Sequence, residues 1–150
     1  MVTNEKIITI NRPINEVFAY VSNLENGPKW QPELSEVRRI TKGPVKIGSQ
    51  FSSARIIMGQ KMETTIEFVA YEPNSKYTIK SITGLLPFEQ TSLFESTAGG
   101  TKLTTKIDLY PSGDIAQGES MLTASLKQEM ETDFDNLKKL LDSKVTPAFS

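Results

Sequence analysis

Gln90, Arg55, Tyr77 and Trp30 are the side chains whose type and phase could do chemistry in this chain. Gln90 falls in step with Phe88 and Phe94 along FEQTSLFES. Residues two apart on a strand share a face, so this amide lies among apolar neighbours. A buried amide needs partners, and those on offer are another side chain, water or a ligand. Arg55 shares phase with Phe51 and Ile57. Turned inward, its guanidinium would take a carboxylate or phosphate bidentately. The opposite phase of that segment, Ala54, Ile56 and Met58, is equally apolar, so the pattern leaves its direction open. Tyr77 offers either a pocket donor or acid, or a packed ring with its hydroxyl in water. Trp30, the only tryptophan, sits among the turn formers Gly27, Pro28 and Pro32. It reads equally well as a residue lining or gating an opening and as a staple holding a short element in place.

Other polar residues are bland or structural by the same test. Thr64, Ser81, Ser92 and Thr105 fall in step with apolar positions and need buried partners. Arg38 and Arg39 point to opposite faces and read as strand-end surface residues. Glu129 and Glu131 read as solvated helix positions, which leaves no inward carboxylate for catalysis.

Two absences bound the chemistry. Without Cys there is no thiol nucleophile, disulfide framework or thiolate-bound metal. Without His there is no His-based acid–base catalysis or Ser-His-Asp triad, and the commonest metal ligand is missing. No acidic cluster has a calcium-loop spacing. No cofactor or metal is expected. The net charge of −1 with dispersed Lys and Arg argues against nucleic acid as a partner, which would need a basic patch. The opening MVTNEKIITI has too short an apolar run for a signal peptide, and no segment reaches the roughly 20 apolar residues of a membrane span. The expectation is a cytoplasmic protein with no stable membrane insertion, a monomer or a homodimer.

The elements that must position these residues follow from periodicity. KIITIN (6–11) is a short β-branched strand. Pro13 suits a first helical turn, and Ile14, Val17, Phe18 and Val21 form one helical face. Asn26-Gly27-Pro28 breaks that pattern, with one more turn expected over 29–31. Six strand segments follow: LSEVRRITKG, SQFSSARIIMG after Gly48, KMETTIEFVAYEP, KYTIKSITG, FEQTSLFES and TKLTTKIDLYP. In the third, Met62, Thr64, Ile66, Phe68 and Ala70 share a face; in the last, Leu103, Thr105, Ile107 and Leu109 do. One apolar and one wet face indicate antiparallel hairpins. From Ser120 the period changes, and Leu122, Leu126, Met130, Phe134, Leu137 and Leu141 recur at helical spacing. Asp114 or Ser120 is placed to cap this helix. Asp135 faces Lys139 at i+4, and Lys138, Lys139 and Lys144 suit its C-terminal dipole.

The fold class is therefore α+β: a seven-stranded antiparallel sheet curved around a long C-terminal helix, with two short helices after strand one. At 150 residues the chain is expected to form a single domain, 1–150. One long helix covers the middle of a sheet, and the short helices plug one end of its hollow.

This order resembles the START-like or SRPBCC superfamily, the helix-grip fold, and within it the polyketide cyclase/dehydrase and lipid-transport type. The carrying segments are INRPINEVFAYVSNLENGPKWQPELSEV, VKIGSQF, FVAYEPNSKYTIKSITGLLPFEQTSLFES and GGTKLTTKIDLYP, ending in the long helix. Their motifs are a Pro opening helix one, Trp-Gln-Pro before strand two, Gly before strand three, a Glu-Pro turn and Gly-Gly-Thr before the last strand. The resemblance implies a ligand cavity between the helix and the concave sheet face. The ligand-binding set expected from it is Trp30, Arg55, Phe68, Tyr77, Phe88, Gln90, Leu126 and Met130. Met58, Met62, Met121 and Met130 would supply an adaptable wall, while Ile66, Phe68, Ile79, Leu103, Ile107, Leu126 and Phe134 serve first as core. The expected function is binding of a small hydrophobic molecule, lipid- or polyketide-like, as carrier or sensor. Alternatives among the relatives are a cyclase or dehydratase working by cavity shape and a few polar groups, and an accessory protein of a larger complex, like those of carbon monoxide dehydrogenase.

Overall fold

The computed structural model describes residues 1–57, 59–84, 86–111 and 118–143. Met58, Asp114 and Lys144, given roles above, lie outside the described residues. The strands are β1 (Val2–Ile10), β2 (Leu34–Arg39), β3 (Gln50–Ile57), β4 (Gln60–Glu72), β5 (Lys76–Ser81), β6 (Phe88–Thr97) and β7 (Gly100–Leu109). They form one seven-stranded sheet in the order β1-β7-β6-β5-β4-β3-β2, every pair antiparallel. After β1 come helix α1 (Ile14–Ser22) and a 3-10 helix (Leu24–Lys29); helix α2 (Glu119–Asp142) follows β7.

Turn chemistry joins the hairpins. Asn74 holds a φ of 63° in the β4–β5 turn, a conformation Asn tolerates better than most residues. Gly48 takes a φ of 96° ahead of β3, where a side chain would be strained.

Helix α1 buries Val17, Phe18 and Val21, the face its spacing specifies. Phe18 meets Tyr71, Tyr77 and Phe94 at ring-centroid distances of 5.6, 6.3 and 5.0 Å. The second short helix departs from expectation. It starts at Leu24 and contains Asn26-Gly27-Pro28, the triplet read as a break. Asn23 opens it by accepting the Glu25 backbone N–H through its side chain. Gly27 is buried, and a β-carbon there would come 2.6 Å from Leu34 Cδ2, so the short helix lies directly on the start of β2.

Helix α2 buries Leu122, Leu126, Met130, Phe134, Leu137 and Leu141, and also Asp133. Its N-cap is Gly118, with no side-chain cap, so Ser120 lies inside the helix. The i,i+4 pair Lys139–Asp135 forms at 3.0 Å. The C-terminal half is tied to the sheet edge and the first turn. Asn11 N–H donates to Asp142 Oδ1 at 2.8 Å, Arg12 Nε to the Leu141 carbonyl at 3.2 Å, and Lys138 to the Thr9 carbonyl. The helix backbone runs closest to β1, which leaves its inner stripe facing the sheet centre across a gap.

One register detail was missed by simple alternation. The β4–β5 pairing shifts between Phe68 and Ala70, so that Tyr71 lies opposite Tyr77. Beyond the irregularity Tyr71 packs on the core, the side on which alternation had put Ala70.

Candidate functional site

The gap between α2 and the sheet is a cavity of about 150 Å³. Its apolar wall comes from Ile66, Ile79, Phe88 and Ile107 on the sheet and Leu122 and Leu126 on α2. Of the eight residues expected to form the site, Trp30, Arg55, Tyr77, Phe88, Gln90, Leu126 and Met130 line this cavity. Phe68 does not. It is fully buried, with its ring 6.0, 5.5 and 5.6 Å from those of Phe51, Tyr71 and Tyr77, and it is core beneath the cavity. Among the expected core residues, Leu103 is also outside the lining, while Ile66, Ile79, Ile107 and Phe134 are in it. Of the methionine wall, Met62 and Met130 line the cavity and Met121 is 67% exposed on the outer face of α2.

Trp30 plays both parts weighed for it. It lines the cavity, and it staples the plug: its ring meets Phe134 edge-on at 5.2 Å, and Asn136 donates to its carbonyl at 3.3 Å. The plug is thereby fixed to α2 as well as to the sheet.

Tyr77 does not reach water. It is 2% exposed, and burial raises its pKa to about 12, an effect the hydrogen bond to Ser92 partly offsets. Ser92 in turn pairs with Thr105 at 2.9 Å. Tyr77, Ser92 and Thr105 thus satisfy each other in a network across β5, β6 and β7. A phenol so held is neutral at physiological pH.

Arg55 faces inward, resolving the even choice left by its strand; Ile56, of opposite phase, is 39% exposed. The guanidinium is already engaged. It donates to Gln31 Oε1 at 2.5 Å and lies 3.8 Å from Glu129 Oε1. Glu129 corrects the reading of a solvated position: its side chain is 18% exposed, and it lines the cavity with Asp133. Asp133 is 4% exposed. Burial, reinforced by Glu33 and Glu129 and opposed by Arg55, raises the Asp133 pKa to about 7. Burial also raises that of Glu129, against the pull of Arg55.

Glu33 Oε2, Glu129 Oε1 and Asp133 Oδ1 are each buried without a hydrogen-bond donor. The cavity therefore has an apolar body and one end where Glu129 and Asp133 line it beside Arg55, with Glu33 close behind them but outside the lining. Among the described residues no group of His, Cys, Asp and Glu is arranged to hold a metal ion.

A signal for this acidic end was present in the helix spacing. Glu129 is three residues after Leu126, and Asp133 three after Met130; both sit on the apolar stripe. Gln31 and Glu33 flank Pro32 in a connection, where no periodicity could reveal their direction.

The family model for polyketide cyclase/dehydrase and lipid transport proteins matches residues 1–142. The chain belongs to this family. Solved structures agree with its helix-grip architecture. A START superfamily protein from Mycobacterium smegmatis superposes with a TM-score of 0.80 at 16% identity, covering 93% of this chain and 97% of that one. The Zhui aromatase/cyclase from Streptomyces sp. R1128 gives 0.78 at 13% identity, covering 97% and 96%. A conserved protein from Geobacillus kaustophilus gives 0.78 at 16% identity, covering 93% and 95%. At these identities the likeness is one of fold. No curated protein sequence matches the chain. Among the described residues no helix is long and apolar enough to cross a membrane.

Proposed function

We propose that this protein binds a small, predominantly apolar molecule in the cavity between α2 and the concave sheet face, as a carrier or sensor. The observation that carries the reading is the unfilled volume itself. A core packed to ordinary density leaves few voids larger than a water molecule, whereas this one is about 150 Å³ and is walled by Ile66, Ile79, Ile107, Leu122 and Leu126. An apolar void of about that size admits a benzene-sized ring. A few polar groups at one end of an apolar pocket are the usual arrangement of a small-molecule site. Membership of a family that includes lipid-transport proteins supports the same reading.

A second reading is a cyclase- or dehydratase-type enzyme. Asp133 favours it, because a buried carboxyl that titrates near pH 7 is suited to general acid–base work. The inward carboxylates that the sequence reading had lacked are thus present. The unfilled apolar volume needs no reaction to explain it, and binding remains the better-supported function.

A thermal-denaturation screen over fatty acids, sterols and aromatic polyketides tests the reading. A ligand at 100 times its dissociation constant adds about 2.7 kcal/mol, or about 5–10 °C in a domain of this size. Native mass spectrometry of the protein from its host should show a co-purifying small molecule. Conversion of a poly-β-ketone, lost on Asp133→Asn, would instead support the enzyme.

A further inference from the structure

We propose that the acidic end of the cavity receives the protonated amine of an otherwise apolar ligand, with Asp133 and Glu129 accepting its N–H donors. This rests on the ligand-binding reading above and specifies the head group.

Charge decides the sign of that head group. The charges at this end are Glu129 and Asp133 from α2, Glu33 from the segment before β2, and Arg55 from β3; Glu63 of β4 also lines the cavity but is 75% exposed and paired with Lys61. An incoming carboxylate or phosphate would meet Glu129 and Asp133 in the wall, Glu33 close behind them, and one guanidinium already committed to Gln31 and Glu129. The anion capture that Arg55 alone suggested is therefore disfavoured. A cation meets the reverse balance.

Hydrogen-bonding capacity points the same way. Asp133 is 96% buried, its Oδ1 lacks a donor, and it lines the cavity. Glu129 Oε1 lacks one as well. Buried acceptors without donors are costly, and an ammonium supplies three donors at once. Without ligand, a proton kept by Asp133 removes its buried charge in that cation's absence. Amine binding then displaces it: the ammonium enters with its charge, the Asp133 proton leaves to solvent, and the site ends with Asp133 ionised against the ligand.

Isothermal titration with three probes on one scaffold, phenylbutylamine, phenylbutanol and phenylbutyrate, tests this. At about pH 8 the amine should bind at least about tenfold tighter than the alcohol, the scale of one charge-assisted hydrogen bond, and phenylbutyrate should bind weakest. The amine-to-alcohol ratio should collapse toward unity in Glu129→Gln and in Asp133→Asn; should the latter fail to fold, the former decides. Near pH 6, titrations in buffers of different ionisation enthalpy should show close to one proton released per amine and none per alcohol. Phenylbutyrate binding tightest, equal affinities, or an amine preference that survives both substitutions would overturn the inference while leaving the cavity as a binding site. Failure of all three probes to bind would overturn both.

Discussion

Arg55 on β3 and Glu129 on α2 face each other at 3.8 Å, a charged contact between sheet and long helix in the cavity wall. Arg55 is the charge that holds the Glu129 and Asp133 carboxyls down; burial and Glu33 act in the other direction. Arg55→Gln should therefore raise both pKa values further. Carbon-detected NMR titration of the side-chain carboxyls should place the Asp133 midpoint above about 7, its position in the native chain. An unchanged midpoint would mean that the guanidinium does not act on this carboxyl.

Stability should depend on pH through Asp133. Unfolded Asp releases its proton near pH 4, whereas Asp133 in the folded chain keeps it to about pH 7. An acid with a raised native pKa binds its proton more tightly when folded. Its contribution is thus most favourable below about pH 4, falls as pH rises from about 4 to about 7, and stays lost above that. Urea midpoints at about pH 5 and pH 8 should differ less in Asp133→Asn than in the parent. Asp133→Leu should stabilise the protein near pH 8 by roughly 1–3 kcal/mol, the cost of an unsatisfied buried polar group.

Trp30 is the only tryptophan, so fluorescence reads the cavity directly. An apolar ligand beside its ring should shift the emission maximum, and Trp30→Phe should abolish that signal while keeping the edge contact with Phe134. Trp30→Ala should cost about 3–5 kcal/mol, as for other buried aromatics, because it unfastens the plug from α2.

Filling the cavity should separate binding from folding. Leu126 lines the void from α2, and Leu126→Phe adds volume there. In a filled core such overpacking costs about 1–3 kcal/mol; here the melting temperature should stay the same or rise. Affinity for an apolar probe should fall by at least about tenfold.

The order of strands and helices along the chain was legible because their apolar residues keep strict periods: every apolar position assigned to the inner stripe of α2 is buried. The β4 irregularity was not legible, since a register shift between Phe68 and Ala70 leaves no mark in composition and reverses the alternation beyond it. The span of the second short helix was hidden by Asn26-Gly27-Pro28, a turn signal that a 3-10 helix also accommodates. Phe88, Gln90, Leu126 and Met130 of the cavity lining followed from strand and helix phase; Trp30 came from its place among turn formers, and phase alone left Arg55 open. Phe68 has the right phase but lies beneath the cavity, because phase fixes a face and not a depth. Glu129 and Asp133 share the α2 stripe with Leu126 and Met130; charge assigned Glu129 to solvent where phase pointed inward, and Asp133 was not singled out.

The central claim is that α2 and the sheet enclose a space an apolar molecule can enter. Methyl-labelled NMR with benzene as the probe tests it most directly, because benzene needs no head group. The account predicts intermolecular NOEs from benzene to the methyls of Ile66, Ile79 and Leu126, which line the cavity. NOEs confined to exposed methyls such as Ile7 and Ile47, or no perturbation of the lining methyls at saturating benzene, would contradict it.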